Sequence, residues 1–299
     1  MKINLVATGG TIGSRVVNGE YVISDEATRQ IANVIGASKV FGEFKIHSAG
    51  VGLAALNTLR LTILDALEDK PDGVVVTHGT DTLAFSASYL AYAFADTKIP
   101  IVMCAADMPL TDYDSNGYDV LNAAKSFIAR GERGVFVLYK NPGEVVKIHH
   151  GARLAPAHLH ENFYHSIGTG RGFTDSGLMH GMDFELKNSD VFCISPYVGL
   201  NYGLLDVSRF TAVVHSAYHS GRVNVAEFNA FAKANPATTM FLISGKKKYS
   251  PSDFEKNVVL CSHITKTALY IKLLIALNNG VKDLAEFALK NVCGEIINN

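Results

Sequence analysis

Two short loops in this sequence combine hydroxyl groups with glycine, and the second adds a carboxylate: Thr8-Gly9-Gly10-Thr11 and His78-Gly79-Thr80-Asp81-Thr82. A threonine hydroxyl is a weak nucleophile until a base or cation activates it. Asp81 beside Thr80 is therefore what an acyl-transfer site needs. Glycines let a backbone approach a ligand closely, and a helix that starts just beyond them turns unpaired N–H groups toward developing negative charge. The bland alternative is capping, since Thr and Asp are ordinary residues at helix starts. Both loops, however, follow apolar strand-like runs, Ile3 to Ala7 and Gly73 to Thr77. In an open parallel sheet that is where ligands bind.

The elements that must carry these loops alternate. After the first strand, helical periodicity runs over residues 25–35, a short strand is expected at 44–47, and a helix at about 54–67. The strand at 73–77 is followed by a helix at 83–94, a strand at 99–105, a helix at 118–129 and a strand at 134–139. Lys140-Asn141-Pro142-Gly143-Glu144 has turn composition, so 145–150 is expected to return antiparallel. From 164 to about 187 the chain is rich in Gly, Ser, Thr and Asp without a period, as a linker would be. Strands at 191–195, 212–215, 239–244 and 258–261, with helices at 225–234, 266–278 and 283–289, make a second α/β unit. The expected fold is α/β: a larger N-terminal, doubly wound, mainly parallel sheet domain (1–163), a linker (164–188) and a smaller C-terminal α/β domain (189–299).

Composition agrees with a globular protein. The chain has 299 residues, 48% of them hydrophobic and 18% charged. Lys plus Arg number 27 against 28 acidic residues, so nothing in the charge balance attracts nucleic acid or an anionic membrane. Lys246-Lys247-Lys248 is read as a solvated turn. The four cysteines are scattered without a C-x-x-C pair, and no signal region or membrane-length apolar run is visible. A cytoplasmic protein with a small-molecule partner is expected. His149, His150, His158, His160 and His165 cluster in the sequence, but no cysteine or acidic partner is spaced to complete a metal site. Gly10-Thr11-Ile12-Gly13 lacks the full dinucleotide fingerprint. No metal or cofactor is expected.

Thr-Gly-Gly-Thr-Ile at 8–12, His-Gly-Thr-Asp-Thr at 78–82 and the stretch Ser115-Asn116-Gly117-Tyr118-Asp119-Val120-Leu121-Asn122-Ala123 together resemble the bacterial-type L-asparaginases and glutaminase-asparaginases. The resemblance spans most of the chain. It implies an asparaginase-type amidohydrolase that cleaves the side-chain amide of L-asparagine to aspartate and ammonia. Thr11 would be the nucleophile and would form an acyl-enzyme. Thr80 and Asp81 would belong to an activating triad completed by a lysine, and Tyr21 would polarise the nucleophile. Ser48, Gly79 and Ala106 would contact substrate. Tyr21 can equally be a surface hairpin aromatic. The resemblance also implies a homodimer or homotetramer and needs no metal.

The sequence departs from that pattern in three places. Gly151-Ala152-Arg153-Leu154-Ala155 leads to Pro156 where the triad lysine would stand. Lys147, earlier on the expected hairpin, is either a source of the ammonium from a different position or a solvated strand residue, as long charged side chains usually are. Ala105-Ala106-Asp107-Met108-Pro109 lacks the usual arginine before proline, and Ser48 is followed by Ala49-Gly50-Val51 rather than polar and acidic neighbours. Two alternatives therefore stand beside asparaginase: an amidase of the same fold with another amide substrate, and a catalytically silent paralogue that binds an amino acid.

Overall fold

The computed structural model describes every residue except 43–44, 246 and 298–299. Contacts divide the chain into two compact units, 1–180 with 292–294, and 181–291 with 295–299. Residues 164–180, expected in the linker, are part of the first unit, and so is the short segment Val292–Gly294. That segment reaches the first unit through backbone bonds from Thr174 N to Cys293 O (3.2 Å) and from Ser176 N to Val292 O (3.1 Å).

The first unit starts with strand β1 (Ile3–Ala7), followed by a small hairpin of β2 (Ser14–Val17) and β3 (Glu20–Ile23). Helix α1 (Asp25–Ile35) opens on Ser24, whose hydroxyl accepts from Glu26 N, and closes on Gly36 at φ 68°. Both are ordinary end signals: a hydroxyl satisfying a free N–H, and a glycine taking the left-handed turn. Strand β4 (Ala37–Phe41) follows at once. Next come α2 (Leu53–Glu68), β5 (Gly73–Thr77), α3 (Leu83–Ala93), β6 (Pro100–Cys104), α4 (Gly117–Ile128), β7 (Gly134–Tyr139) and β8 (Lys147–His150).

These strands form a six-stranded sheet in the order β4-β1-β5-β6-β7-β8, parallel except for β8, which returns antiparallel on β7 as the turn composition predicts. β1, β5, β6 and β7 are buried at every position. A strand covered on both faces reads as a continuous apolar run, which is why these are visible in the sequence. β4 is not: the strand expected at 44–47 lies in part outside the described residues, and the pairing strand sits earlier. β4 is an edge strand with three exposed central residues, Ser38, Lys39 and Val40, so it carries no apolar run to read.

Strand order decides where a ligand can enter. From β1 the chain moves to one side, to β4; from β5 it moves to the other, to β6. The connections therefore diverge above β1 and β5, leaving a crevice at their carboxyl ends. Both threonine loops leave the sheet there.

The second unit has an all-parallel sheet in the order β12-β11-β10-β9, built from β9 (Val191–Ile194), β10 (Ala212–Ser216), β11 (Thr239–Ile243) and β12 (Val258–Leu260). Its helices are α5 (Val225–Ala234), α6 (Lys266–Asn278) and α7 (Leu284–Leu289). Its core gathers Val213, Phe228, Phe231, Met240 and Leu242. Of the triple-lysine run, Lys246 lies outside the described residues, while the Lys247 ammonium stands 5.3 Å from the centre of the Tyr249 ring. No helix among the described residues is long and apolar enough to cross a membrane.

Candidate active site

Thr8 ties the ends of β1 and β5 together: its amide donates to Thr77 Oγ1 (3.2 Å) and its hydroxyl to Thr77 O (2.6 Å). From this seam the two loops rise in contact. Gly10 has φ 72°, and a Cβ there would lie 2.5 Å from the carbonyl of His78. A Cβ on Gly79 would lie 2.6 Å from Ser48 Cβ and 3.4 Å from Gly10 Cα. Only glycines permit these approaches. Thr11 and Thr80 are each the next residue along from these two glycines.

Neither hydroxyl is spent on capping. The residue capping the short 3-10 turn Thr11–Gly13 is Gly10, and the one capping α3 is Thr82, in neither case with a side-chain cap bond. Among the described residues, no hydrogen bond engages the side chain of Thr11 or Thr80, and both residues are half-buried. Thr82 instead donates its hydroxyl to Ser48 O at 2.8 Å.

Ser48 is the third element of the site. It is buried at the start of a 3-10 turn, donates to Asp81 Oδ2 at 2.5 Å and accepts from Asp81 N at 3.2 Å. Beside it a small pocket is lined by Thr8, Ile46, Val51, Ala55, Leu59, His78 and Gly79. His78 is buried and pairs Nδ1 with the carbonyl of Gly79 at 2.7 Å, so that nitrogen carries the proton. Burial lowers its pKa, opposed in part by that bond and by Asp81, and the imidazole stays neutral.

The remaining residues singled out in the sequence fall elsewhere. Tyr21 lies on β3 opposite Val16, half exposed, with no hydrogen bond to either threonine loop among the described residues. Ala106 is buried after β6, in a loop held by Asp107 N donating to Asn116 Oδ1 (3.1 Å) and Ser115 Oγ donating to Met108 O (2.8 Å). Lys147 begins β8 and pairs with Glu144 at 2.7 Å. Pro156 is exposed, and among the described residues no ammonium or guanidinium pairs with Asp81. Three of the five clustered histidines have separate partners: His149 pairs with Ser166 Oγ (2.8 Å), His150 stacks on Phe173, and His165 stacks on Phe163. No group of three His, Cys, Asp or Glu residues gathers as a metal site among the described residues.

One residue that no motif singled out touches the site, and a second holds it in place. Tyr164 donates its hydroxyl to Thr80 O at 2.6 Å, and Asn141 bonds the backbone of Tyr164. A larger groove of about 1010 Å³ lies in the second unit, lined by residues such as Tyr197, Val198, Leu204 and Glu227. Among the described residues, no serine or threonine lines it. The chemistry therefore points to the smaller crevice of the first unit.

Residues 2–161 match the family model for the N-terminal part of asparaginase. Over 99% of both chains the sequence is 25% identical to the L-asparaginase of Thermococcus kodakarensis. It is also 31% identical to a glutamyl-tRNA(Gln) amidotransferase subunit of Haloquadratum walsbyi, over 52% of this chain and 37% of that one. The fold is shared with the solved thermostable T. kodakarensis L-asparaginase (TM-score 0.78, 24% identity, 100% of both chains). It is likewise shared with L-asparaginase I of Vibrio cholerae (TM-score 0.78, 18% identity, 99% of both chains). The family match covers more than half the chain and includes both threonine loops, so this protein belongs to the asparaginase family.

Proposed function

We propose that the protein hydrolyses the side-chain amide of L-asparagine, with Thr11 as the nucleophile. The observation that supports this reading is the close approach of Gly10 to Gly79, which brings into contact the two loops that carry Thr11, Thr80 and Asp81. Thr11 Oγ1 attacks the amide carbon and gives up its proton. The C–N bond breaks, and the nitrogen leaves as ammonia carrying a proton. Water then cleaves the resulting ester, releasing aspartate and restoring Thr11. Thr80 and Asp81 relay the protons, and Asp81, fixed by Ser48, faces the substrate's ammonium. Backbone N–H groups of the Gly79 loop and of Ala106 border the acyl group. The substrate is a free, cytoplasmic amino-acid amide, and the enzyme works as a homodimer or homotetramer.

A second reading, an amidase of the same fold with a different amide substrate, is favoured by one observation. Among the described residues, the pocket beside Ser48 is lined by Ile46, Val51, Ala55 and Leu59 and by no acidic side chain. Similarity to glutamyl-tRNA(Gln) amidotransferase subunits supports it as well.

Ammonia release from L-asparagine, L-glutamine and D-asparagine tests both readings. Activity on L-asparagine that vanishes in Thr11→Ala and Thr80→Val is the expected result. Preference for another amide, with the same dependence on both threonines, selects the second reading. No release from any of the three by the parent protein overturns asparagine hydrolysis.

A further inference from the structure

The peptide unit between Thr80 and Asp81 is held at both ends. Its N–H, on Asp81, donates to Ser48 Oγ at 3.2 Å. Its carbonyl, on Thr80, accepts from Tyr164 Oη at 2.6 Å and more weakly from Leu83 N at 3.4 Å. A peptide plane held by hydrogen bonds at its oxygen and its nitrogen is restrained from rotating, so the directions in which the side chains of Thr80 and Asp81 leave the backbone are restrained together.

Tyr164 is itself immobilised. It is buried, and its ring meets Tyr139 edge-on with centroids 4.7 Å apart. Asn141, also buried, grips its backbone from both sides: Oδ1 accepts from Tyr164 N at 2.8 Å, and Nδ2 donates to Tyr164 O at 3.1 Å. The same Nδ2 donates to Glu144 Oε2 at 2.8 Å, and Glu144 holds Lys147 at 2.7 Å. Burial raises the phenol's pKa, with Tyr139 and Asp81 adding to the effect, so Tyr164 stays a protonated donor across the physiological range.

We propose that Tyr164 is a positioning residue for the amide-hydrolysis site: with Ser48 it clamps the Thr80–Asp81 peptide, and Asn141 holds Tyr164 in place to do so. The clamp approaches the second threonine loop by a hydrogen bond to its backbone, in a chain that has Pro156 where a lysine was expected. The proposal rests on the reading of Thr80 as part of the reacting group.

Tyr164→Phe removes only the O–H and leaves the ring against Tyr139. In an active parent, kcat for ammonia release is expected to fall about 10-fold or more with KM changed less than about 2-fold, since the lost bond orients groups used in the transition state. Amide hydrogen exchange at Asp81 and Leu83, the amides bonded to Ser48 and to the Thr80 carbonyl, is expected to quicken up to about 10-fold, the scale of one lost hydrogen bond. Tyr113→Phe, at a fully exposed tyrosine, is expected to change neither. An active Tyr164→Phe enzyme with parental kcat overturns the proposal, and so does a fall in kcat without faster exchange at these two amides. If the parent releases no ammonia from any amide, asparagine hydrolysis fails and exchange alone decides: faster exchange sustains the clamp, and unchanged exchange overturns it.

Discussion

Gly10 sits at φ 72°, and the space a side chain would fill is taken by the His78 carbonyl. Gly10→Ala must therefore both strain the backbone and part the two threonine loops. The expected cost is about 1–3 kcal/mol of stability with loss of ammonia release, measured by urea unfolding and by assay. Gly13, three residues on, has nothing within 4 Å of an added methyl and serves as the comparison, with Gly13→Ala expected to keep parental stability. The residue types of the site are legible in the sequence, because hydroxyls, glycines and a carboxylate recur after two apolar strands, which ordinary helix capping at either loop alone would not require. Tyr164 is not legible. It lies 84 residues from Thr80, in a stretch without periodicity, and only folding brings its hydroxyl there.

Among the elements, α6 carries an unusual burden in the second unit. Lys272 is fully buried in it, donates to Glu295 Oε1 at 2.9 Å, to Ala288 O at 3.2 Å and to Lys290 O, and stands over the Phe287 ring. The helix thereby holds α7 and the segment after it. Removing one member of a buried pair strands the other charge, so Lys272→Met is expected to cost about 3–5 kcal/mol. Adding Glu295→Met should recover much of that loss, and urea unfolding of the intact chain measures both. The periodic pattern places α6 correctly over 266–278 but cannot show that a lysine within it points inward. Likewise the buried strands are readable as apolar runs, while the strand pairing with β1 at its outer edge is expected several residues later than β4 stands, because β4 is exposed at its centre.

Over the whole molecule, buried imidazoles contribute acid sensitivity, and besides His78 there is one such group in each unit. His149 and His215 are lowered to about 4 from an ordinary 6.5, chiefly by burial, with Lys147 and His165 adding to the effect at His149. Between those values the unfolded chain binds protons that the folded chain does not. Stability is therefore fully present above about pH 6.5 and is lost as pH falls toward 4. Each histidine contributes a slope of up to about 1.4 kcal/mol per pH unit in that window. Urea unfolding at steps from neutral pH down toward the folded-state values should show the decline, and His149→Asn with His215→Asn should make it shallower, leaving the share of His78.

By itself the sequence determined the alternation of strands and helices, the parallel sheet and the two loops that carry hydroxyls, because apolar runs, helical periodicity and glycine punctuation are local patterns set by burial and backbone sterics. Tertiary structure alone decided what those loops meet. The Ser48 to Asp81 pair joins residues 33 positions apart and the Tyr164 to Thr80 bond residues 84 apart, and Gly10 meets Gly79 across a comparable span. Such contacts depend on strand order, which places β1 beside β5 and makes neighbours of loops that the chain itself keeps far apart.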